Sequence, residues 1–401
     1  MSNRLRPIAT AALLGALAFL LYVVPAAPSP LSVDEVALMR QAQSVATSGR
    51  DTDGRAAQLY FRASEEHWLQ PVPVYATALV SALVSGSMAA RLASAIVGAL
   101  NVGLIYLLMR RLCPNRWGPV ATAALLAITP AHLAFARTGV DAIYSLPFVL
   151  VWLIGLRDFL DRGDRWHLTA GVFALGVGTY TQPSAPLTMG FLFAITCAAL
   201  WITGARGIRA YAGIVTAFAL PLSIAGLWFA AHPSSYPDTF GRWVIHAAHL
   251  RYPMDGMRAF LNWTTLGTRT SLYWGFFDPS WLFFNAPYLP GTVLRGAAPF
   301  LLPASLFSLM GVARCARVGP PAWTIALVAG AAASPLAAST FGQPHAIGAA
   351  LAVVPFVTVL AGCGLVDWSE RKGAAWRWLG WAAIAAIPLQ FFGAYARYFR
   401  A

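Results

Sequence analysis

Residues 8–36 read IATAALLGALAFLLYVVPAAPSPLSVDEV, a charge-free apolar run followed by a proline-rich connection and a pair of acidic residues. The apolar part, Ile8–Val24, follows Arg4 and Arg6. It is close to the ~20 residues that a helix needs to cross a membrane. A secretory signal begins in the same way, so cleavage after residue 26 or 27 is one interpretation. Because many further apolar runs follow, we expect an uncleaved membrane anchor.

The composition of the 401-residue chain is typical of membrane proteins. Hydrophobic residues make up 58% and charged residues only 11%, whereas soluble domains carry about 25% charged residues. Aromatic residues, at 13%, stand in long apolar runs and exclude a disordered chain. Runs of spanning length occur near 8–24, 89–109, 118–136, 142–156, 168–183, 186–203, 210–230, 297–313, 321–340, 346–366 and 378–396. We predict an all-α polytopic bundle of about 11 transmembrane helices.

The charged residues predict an orientation in the membrane. The net charge of +13 comes almost wholly from arginines in small groups between apolar runs, which argues against a nucleic-acid partner. If the N-terminus is cytoplasmic, fifteen basic residues fall in short inner segments, and the short outer turns hold only Arg137. The positive-inside rule requires this asymmetry. We therefore predict a multi-pass protein of the plasma (inner) membrane, in contact with its lipids and with a cytoplasmic N-terminus.

Two long segments, 25–88 and 231–296, then lie outside the membrane. Together with the short outer turns they hold ten of the fifteen acidic residues, so we expect the outer face to be the working face. We treat residues 1–401 as a single membrane domain. Within the first loop, Pro71–Ser85 is apolar but only about 22 Å long as a helix, short of the roughly 30 Å of a bilayer core. We expect it to lie at the outer interface and to join the next span through Gly86.

The segment Ser32-Val33-Asp34-Glu35 has two compatible interpretations. Ser32 and Glu35 match the capping box that starts a helix, and Gly49 matches a helix stop. In that case Glu35 serves the cap and leaves the carboxylate of Asp34 free to act as a general base. The spacing alone does not decide whether Asp34 belongs only to a capped helix or also to an active site.

Further motifs follow in order along the chain. They are Ser48-Gly49-Arg50-Asp51, Trp68–Tyr75, Arg91-Leu92-Ala93-Ser94, Thr129-Pro130, Arg137 with Asp141, Trp243–His246, Phe277–Phe284 and Pro344-His345. With Asp34-Glu35 before them, they resemble the polyprenyl-phosphate-sugar glycosyltransferases of family 39. That family has the GT-C fold and includes the protein O-mannosyltransferases and the lipid A aminoarabinose transferases. The resemblance touches most of the chain and is most specific over residues 32–141.

The resemblance implies that a sugar is moved, with inversion, from a polyprenyl-phosphate donor to a lipid, glycan or protein acceptor on the extracytoplasmic face. Its catalytic carboxylates would be Asp34, Glu35 and Asp141, with Asp34 deprotonating or orienting the acceptor hydroxyl. For Asp141, an ion pair with Arg137 that caps a helix is the alternative, and exposed pairs contribute only about 0–1 kcal/mol. Charges at the edges of membrane spans tend to mark function, which favours a role in the site.

A lipid-phosphate donor requires cations and polar side chains at the outer interface. The resemblance and the predicted side of the membrane point to Arg137, Arg269, Arg295, His67, Gln70, Tyr75, His246, Asp278 and His345. Gln70 departs from the lipid A enzymes, which carry a lysine there, and each arginine can equally be an interfacial anchor. Thr179–Pro183 breaks a hydrophobic hairpin, and it either lines the lipid-carrier groove or simply turns the chain.

His246 matches a loop histidine that has been linked to a metal in the lipid A enzyme. A divalent metal is therefore one interpretation, and a hydrogen-bonded interfacial histidine is the other. The sequence supplies no metal-ligand set that we assign, and the lipid-linked sugar is the only further molecule that the resemblance implies as donor. The four cysteines lack metal-binding or redox spacing, so we expect free thiols.

A transporter or lipid-linked-sugar flippase is the alternative function. Such a protein is expected to carry ionisable residues at mid-membrane, inverted repeats and short external loops. Here nearly every charge falls at a predicted span boundary. A non-catalytic membrane assembly partner also fits the composition, but it gives Asp34 and Asp141 no role.

Overall fold

The computed structural model describes residues 2–23, 31–63, 68–84, 86, 88–205, 207–232, 263–284, 297–339, 344–371 and 373–400. Helices dominate these residues. They are α1 Ser2–Val23, α2 Val33–Ser48, α3 Pro71–Ser81, α4 Ala89–Leu112, α5 Trp117–Ile128, α6 Pro130–Arg137, α7 Leu146–Arg162, α8 Arg165–Gly178, α9 Ala185–Ile202, α10 Ile208–Ala231, α11 Trp263–Phe276, α12 Leu302–Val318, α13 Pro321–Ser339, α14 Val353–Glu370 and α15 Ala374–Arg400.

The remaining regular elements are short. Strands β1 (Phe61–Arg62) and β2 (Trp68–Leu69) pair antiparallel in the first loop. A 3-10 turn at Asp141–Ser145 leads into α7, and a π-helical turn at Ser280–Phe284 follows α11. The all-α architecture predicted from the sequence is confirmed.

The helices follow the predicted apolar runs, but fewer than eleven of the described helices are both long and apolar enough to be spans by themselves. Seven helices of the described residues are long and apolar enough to cross a membrane, and eight if the bent pair α5–α6 is one span. The predicted count of 11 is therefore not confirmed. Helix α8 shows why, because its 14 residues extend only about 21 Å. The apolar helix α3, with 11 residues, is also too short to span, as expected for an interfacial helix.

The bent span turns by 60° at Thr129-Pro130. Proline lacks the backbone N–H that would continue the helix, so carbonyl groups of the preceding turn need other donors. The Thr129 hydroxyl donates to the Leu125 carbonyl at 2.7 Å, and the Tyr22 hydroxyl approaches that of Ala127 at 3.4 Å. Beyond the break, the Ala131 amide donates to the Pro299 carbonyl at 3.0 Å. The bend directs α6 and the turn that follows it towards the start of α2.

Helix α4 lies at the centre of the main hydrophobic core, with Ile105, Leu108 and Met109 fully buried. A second tight contact joins α12 and α14. A Cβ added at Gly311 would overlap the Leu360 carbonyl, and one at Gly364 would overlap the Phe307 carbonyl. Small residues of this kind let membrane helices approach closely, where dispersion contacts supply much of the association energy.

Candidate active site

Helix α2 begins with the capping box that the sequence predicts. The Ser32 hydroxyl accepts the Glu35 amide at 3.1 Å, and the Glu35 carboxylate accepts the Ser32 amide at 2.9 Å. Gly49 ends the helix in the left-handed conformation, with φ at 68°. Because three separate helix signals agree, the position of Asp34 in the first turn of α2 follows from local sequence alone.

Glu35 is also the point where three segments of the chain meet. The Arg91 Nε donates to its Oε1 at 2.7 Å, and a terminal nitrogen of the same guanidinium donates to Oε2 at 3.1 Å. The backbone amide of Gly139 also donates to Oε1, at 2.9 Å. The carboxylate of Glu35, 2% exposed, is thus held by the start of α4, by the turn after α6 and by its own cap.

The environment of Glu35 favours its charged form. Burial alone would raise the pKa of this carboxyl, but the hydrogen bonds from Arg91, Ser32 and Gly139, with the arginine's charge, hold it below its ordinary value. The approach of Gly139 requires a glycine, because an added Cβ would lie 2.7 Å from the Cβ of Ala90. All the surroundings of Glu35 therefore fit a structural anchor, and they leave little room for it to exchange a proton.

Asp34, the next residue towards the N-terminus, has the opposite environment. Its side chain is exposed and makes no hydrogen bond or ion pair with any residue that the structure describes. Asp141, half-buried, begins the span Asp141–Arg162. The two carboxylates are near enough for their charges to interact. The Gly139–Glu35 hydrogen bond brings these chain segments together, and the result is a pair of acids at the edge of the bundle.

Arg137 lies at the C-terminal end of α6 and is almost fully buried. One terminal nitrogen approaches the Leu21 carbonyl at 3.4 Å, near the C-terminal end of α1, where a cation complements the helix dipole. One turn away, His132 contacts Tyr22 at 3.2 Å and Asn101 at 3.4 Å through its two ring nitrogens. These polar contacts fasten α6 to α1 and α4 and so support the turn that carries Asp141.

The first-loop candidates Gln70 and Tyr75 lie at the start of α3. Gln70 is buried as the residue before the helix, and Tyr75 donates its hydroxyl to the Gln58 carbonyl at 2.6 Å. The Val72 amide donates to the Tyr180 carbonyl at 3.2 Å. Tyr180 in turn donates its hydroxyl to the Pro221 carbonyl at 2.6 Å. The break at Thr179–Pro183 therefore anchors α3 against α10, which is more than the simple turning of a hairpin.

The candidates near the second outer loop form a separate group. Asp278 accepts the Ser280 amide at 2.9 Å and the Ser280 hydroxyl at 2.8 Å, and these bonds lower its pKa. This carboxylate thus caps the turn Ser280–Phe284. His345 stacks on Trp281, with ring centroids 4.6 Å apart, and its φ is positive at 58°. Within the described chain, no hydrogen bond joins Asp278 or His345 to Asp34 or Asp141.

Arg269, on α11, is 6% exposed. Burial lowers the pKa of its guanidinium. Three further candidates, His67, His246 and Arg295, lie outside the described residues. Among the residues that are described, no cluster of three or more His, Cys, Asp or Glu side chains could hold a metal ion. All four cysteines are free thiols.

Arg91 is the residue of this site that sequence reasoning missed as a functional candidate. It was part of a motif, but nothing local gave it a partner. The position of Arg91 in the first turn of α4 was nevertheless informative. A cation there interacts unfavourably with the helix dipole unless a nearby acid compensates its charge. The acid is Glu35, 56 residues earlier in the chain.

Comparisons with known proteins agree with this architecture. The sequence profile of the dolichyl-phosphate-mannose-protein mannosyltransferase family matches residues 70–229, less than half of the chain. No curated protein matches the sequence. Among solved structures, ArnT from Cupriavidus metallidurans, bound to undecaprenyl phosphate, is 17% identical with a TM-score of 0.54. The match covers 95% of this chain and 63% of ArnT.

The oligosaccharyltransferase of Archaeoglobus fulgidus, solved with zinc and sulfate, gives a TM-score of 0.51 at 14% identity. That match covers 98% of this chain and 53% of the other. The fold and the apolar helices define a multi-pass membrane protein of the GT-C class. Within that class, the chain resembles the protein mannosyltransferases and ArnT, as its motifs predict. It spans less than two thirds of the length of either solved relative.

Proposed function

We propose that this protein is a membrane glycosyltransferase that transfers a sugar from a polyprenyl-phosphate donor to an acceptor. One observation carries the proposal. Of two adjacent carboxylates, Glu35 is buried in four hydrogen bonds, while Asp34 is exposed beside Asp141. A capped helix needs only Glu35, so Asp34 is available for chemistry. The fold and the family profile support the same activity.

In the proposed reaction, the acceptor hydroxyl oxygen attacks the anomeric carbon of the donor sugar. The bond from that carbon to the phosphate oxygen breaks, and the polyprenyl phosphate leaves with the electron pair. Asp34 accepts the proton that the acceptor loses, a role for which an exposed carboxylate within hydrogen-bond reach is suited. Attack from the face opposite the leaving group inverts the anomeric configuration. The negative charge of the Asp34 carboxylate also stabilises the oxocarbenium character of the transition state.

Glu35 and Asp141 have supporting roles in this proposal. The Glu35 anchor fixes the first turn of α2 against Gly139, and this holds Asp34 at a constant distance from the turn that carries Asp141. Asp141 then orients a hydroxyl of the donor sugar. Positioning of this kind is a large part of catalysis, because a misplacement of about 1 Å can lower the rate on the order of a hundredfold.

The donor's phosphate requires cations, and the arginines at positions 137, 269 and 295 are the candidates. A guanidinium can hold a phosphate through two parallel hydrogen bonds, which a lysine cannot do. The undecaprenyl phosphate bound to ArnT supports a polyprenyl-phosphate donor for this chain too. We further propose that the site faces the extracytoplasmic side of the plasma membrane, as the arginine distribution indicates.

The direct test uses the purified full-length chain in nanodiscs with a radiolabelled panel of polyprenyl-phosphate sugars. The proposal predicts that at least one donor releases free polyprenyl phosphate, with the sugar passed to water or to an added acceptor. In proteoliposomes the same donors test the flippase alternative. If intact donor crosses the bilayer without cleavage, the protein is a flippase and the transferase proposal is wrong.

A further inference from the structure

A deep groove lies at the opposite end of the bundle from Asp34. Helices α5, α12, α14 and α15 enclose a cavity of about 990 Å³. Its mouth lies where α4 has ended and α5 begins, whereas Asp34 lies near the first turn of α4. The 24 residues of α4 separate these levels by about 36 Å. The groove is therefore distinct from the candidate active site.

The walls of the groove change in character along its length. Ile128, Ile384 and Ile387 line the inner end, while Glu370, Arg371 and Arg377 line the mouth. Measured along α5 or α15, the two ends are about 15 Å apart, which is half the thickness of a bilayer core. An apolar channel of this length with a charged mouth fits a molecule that occupies one leaflet.

The groove is open to the bilayer because α15 packs only partly against the bundle. Trp378 is 75% exposed and Leu389 is 77% exposed on the side of α15 that faces away from the core. Trp117 and Trp381 line the groove and are both exposed. Tryptophans at this level are typical of the membrane–water interface. Lipid, rather than a water-soluble ligand, has direct access to the opening.

The mouth carries an excess of positive charge. Asp367 pairs with Arg317 at 2.9 Å and with Arg371 at 2.7 Å, and Glu370 pairs with Arg314. Glu370, Arg371 and Arg377 line the mouth itself, and Arg314, Arg317 and Asp367 lie behind them as ion-pair partners, so four arginines in all stand against two carboxylates. The Arg377 side chain is exposed and makes no ion pair with any described residue. A phosphate group at the mouth would complement this charge.

We propose that this groove binds an anionic glycerophospholipid from the leaflet on the arginine-rich side of the membrane. Its acyl chains occupy the channel between α5 and α15, and its phosphate lies at Arg377 and Arg371. The proposal is independent of the transferase activity, because the groove contains none of the residues assigned to the reaction.

The experiment compares lipids retained by the full-length chain after release from nanodiscs of equimolar phosphatidylglycerol and phosphatidylcholine, counted by native mass spectrometry. The wild type is expected to retain phosphatidylglycerol about fivefold better, the factor for one arginine near an anionic lipid. Arg377→Gln removes this preference. Arg165→Gln, an exposed arginine at the same end but outside the groove, keeps it. Ala124→Trp, which fills the channel, lowers retention of both lipids.

Equal retention of the two lipids by the wild type would overturn the proposal. An equal loss of preference in Arg165→Gln would also overturn it, since the effect would then be one of general surface charge. Undecaprenyl phosphate is added in a third arm. If it displaces the retained phosphatidylglycerol at equimolar concentration, the groove belongs to the donor lipid and the assignment to a phospholipid is wrong.

Discussion

Arg91→Gln is expected to detach the start of α2 from the bundle. The substitution removes two charge-assisted hydrogen bonds from a carboxylate that is 2% exposed. Breaking a buried ion pair costs about 3–5 kcal/mol. Glu35 keeps the amides of Ser32 and Gly139, and the Arg91 side chain is 11% exposed, so the low end of this range applies. A loss of about 3 kcal/mol raises the population of the detached state on the order of a hundredfold.

Hydrogen–deuterium exchange of the protein in nanodiscs measures this local opening directly. In Arg91→Gln the amide protection factors of α2 peptides should fall on the order of a hundredfold, while those of α12 and α14 peptides should stay unchanged. Arg317→Gln is the matched control, because it breaks a more exposed ion pair to Asp367 at the other end of the bundle. Such pairs contribute about 0–1 kcal/mol. Unchanged protection of α2 in Arg91→Gln would refute the anchor role of Glu35.

Three further outcomes follow from the structure. Because hydrogen bonds hold the pKa of Glu35 below its ordinary value, its contribution to stability is present above that value and is lost as the pH falls through the folded pKa. The thermal midpoint of the wild type should therefore fall more steeply below about pH 5 than that of Glu35→Gln. Gly364→Leu would press a side chain into the Phe307 carbonyl. The clash should lower the free energy of unfolding by about 3 kcal/mol or more, and the thermal midpoint by several degrees. Asp53→Cys should react with an impermeant maleimide on intact cells, and Asp161→Cys only after permeabilisation.

Each of these outcomes has a clear contrary result. Parallel pH profiles for the wild type and Glu35→Gln would show that another group dominates acid stability. A Gly364→Leu variant with the wild-type midpoint would mean that α12 and α14 have room to separate. Labelling of Asp161→Cys on intact cells would reverse the predicted orientation.

Features that depend on neighbouring residues were predictable from the sequence. The capping box at Ser32–Glu35 and the stop at Gly49 each depend on residues within one helical turn. The bend at Thr129-Pro130 is equally local, although residues 118–136 were predicted as one apolar run. The cap at Asp278 belongs to the same class, since the hydroxyl and amide of Ser280 lie two residues away. The local pattern around Asp278 is sufficient to predict a cap, whereas the donor-binding role predicted for Asp278 came from the family resemblance.

Features that depend on distant residues were not predictable in the same way. Glu35 meets Arg91 and Gly139 across 56 and 104 residues of chain, and no local pattern encodes either contact. Tyr180 joins α3 to α10 for the same kind of reason. The predicted number of spans is not confirmed for the described residues, because an apolar run alone does not determine where a helix such as α8 stops.

In the proposed reaction Asp34, and not its buried neighbour Glu35, takes the proton from the acceptor. Single-turnover release of polyprenyl phosphate by Asp34→Asn tests this role most directly, with donor binding measured in the same samples. Asp53→Asn, which alters an exposed carboxylate of the same loop, is the control. We expect Asp34→Asn to bind donor normally and to react about 10²–10⁴-fold more slowly, while Asp53→Asn reacts at the wild-type rate. Turnover by Asp34→Asn at the wild-type rate would show that Asp34 is not the general base.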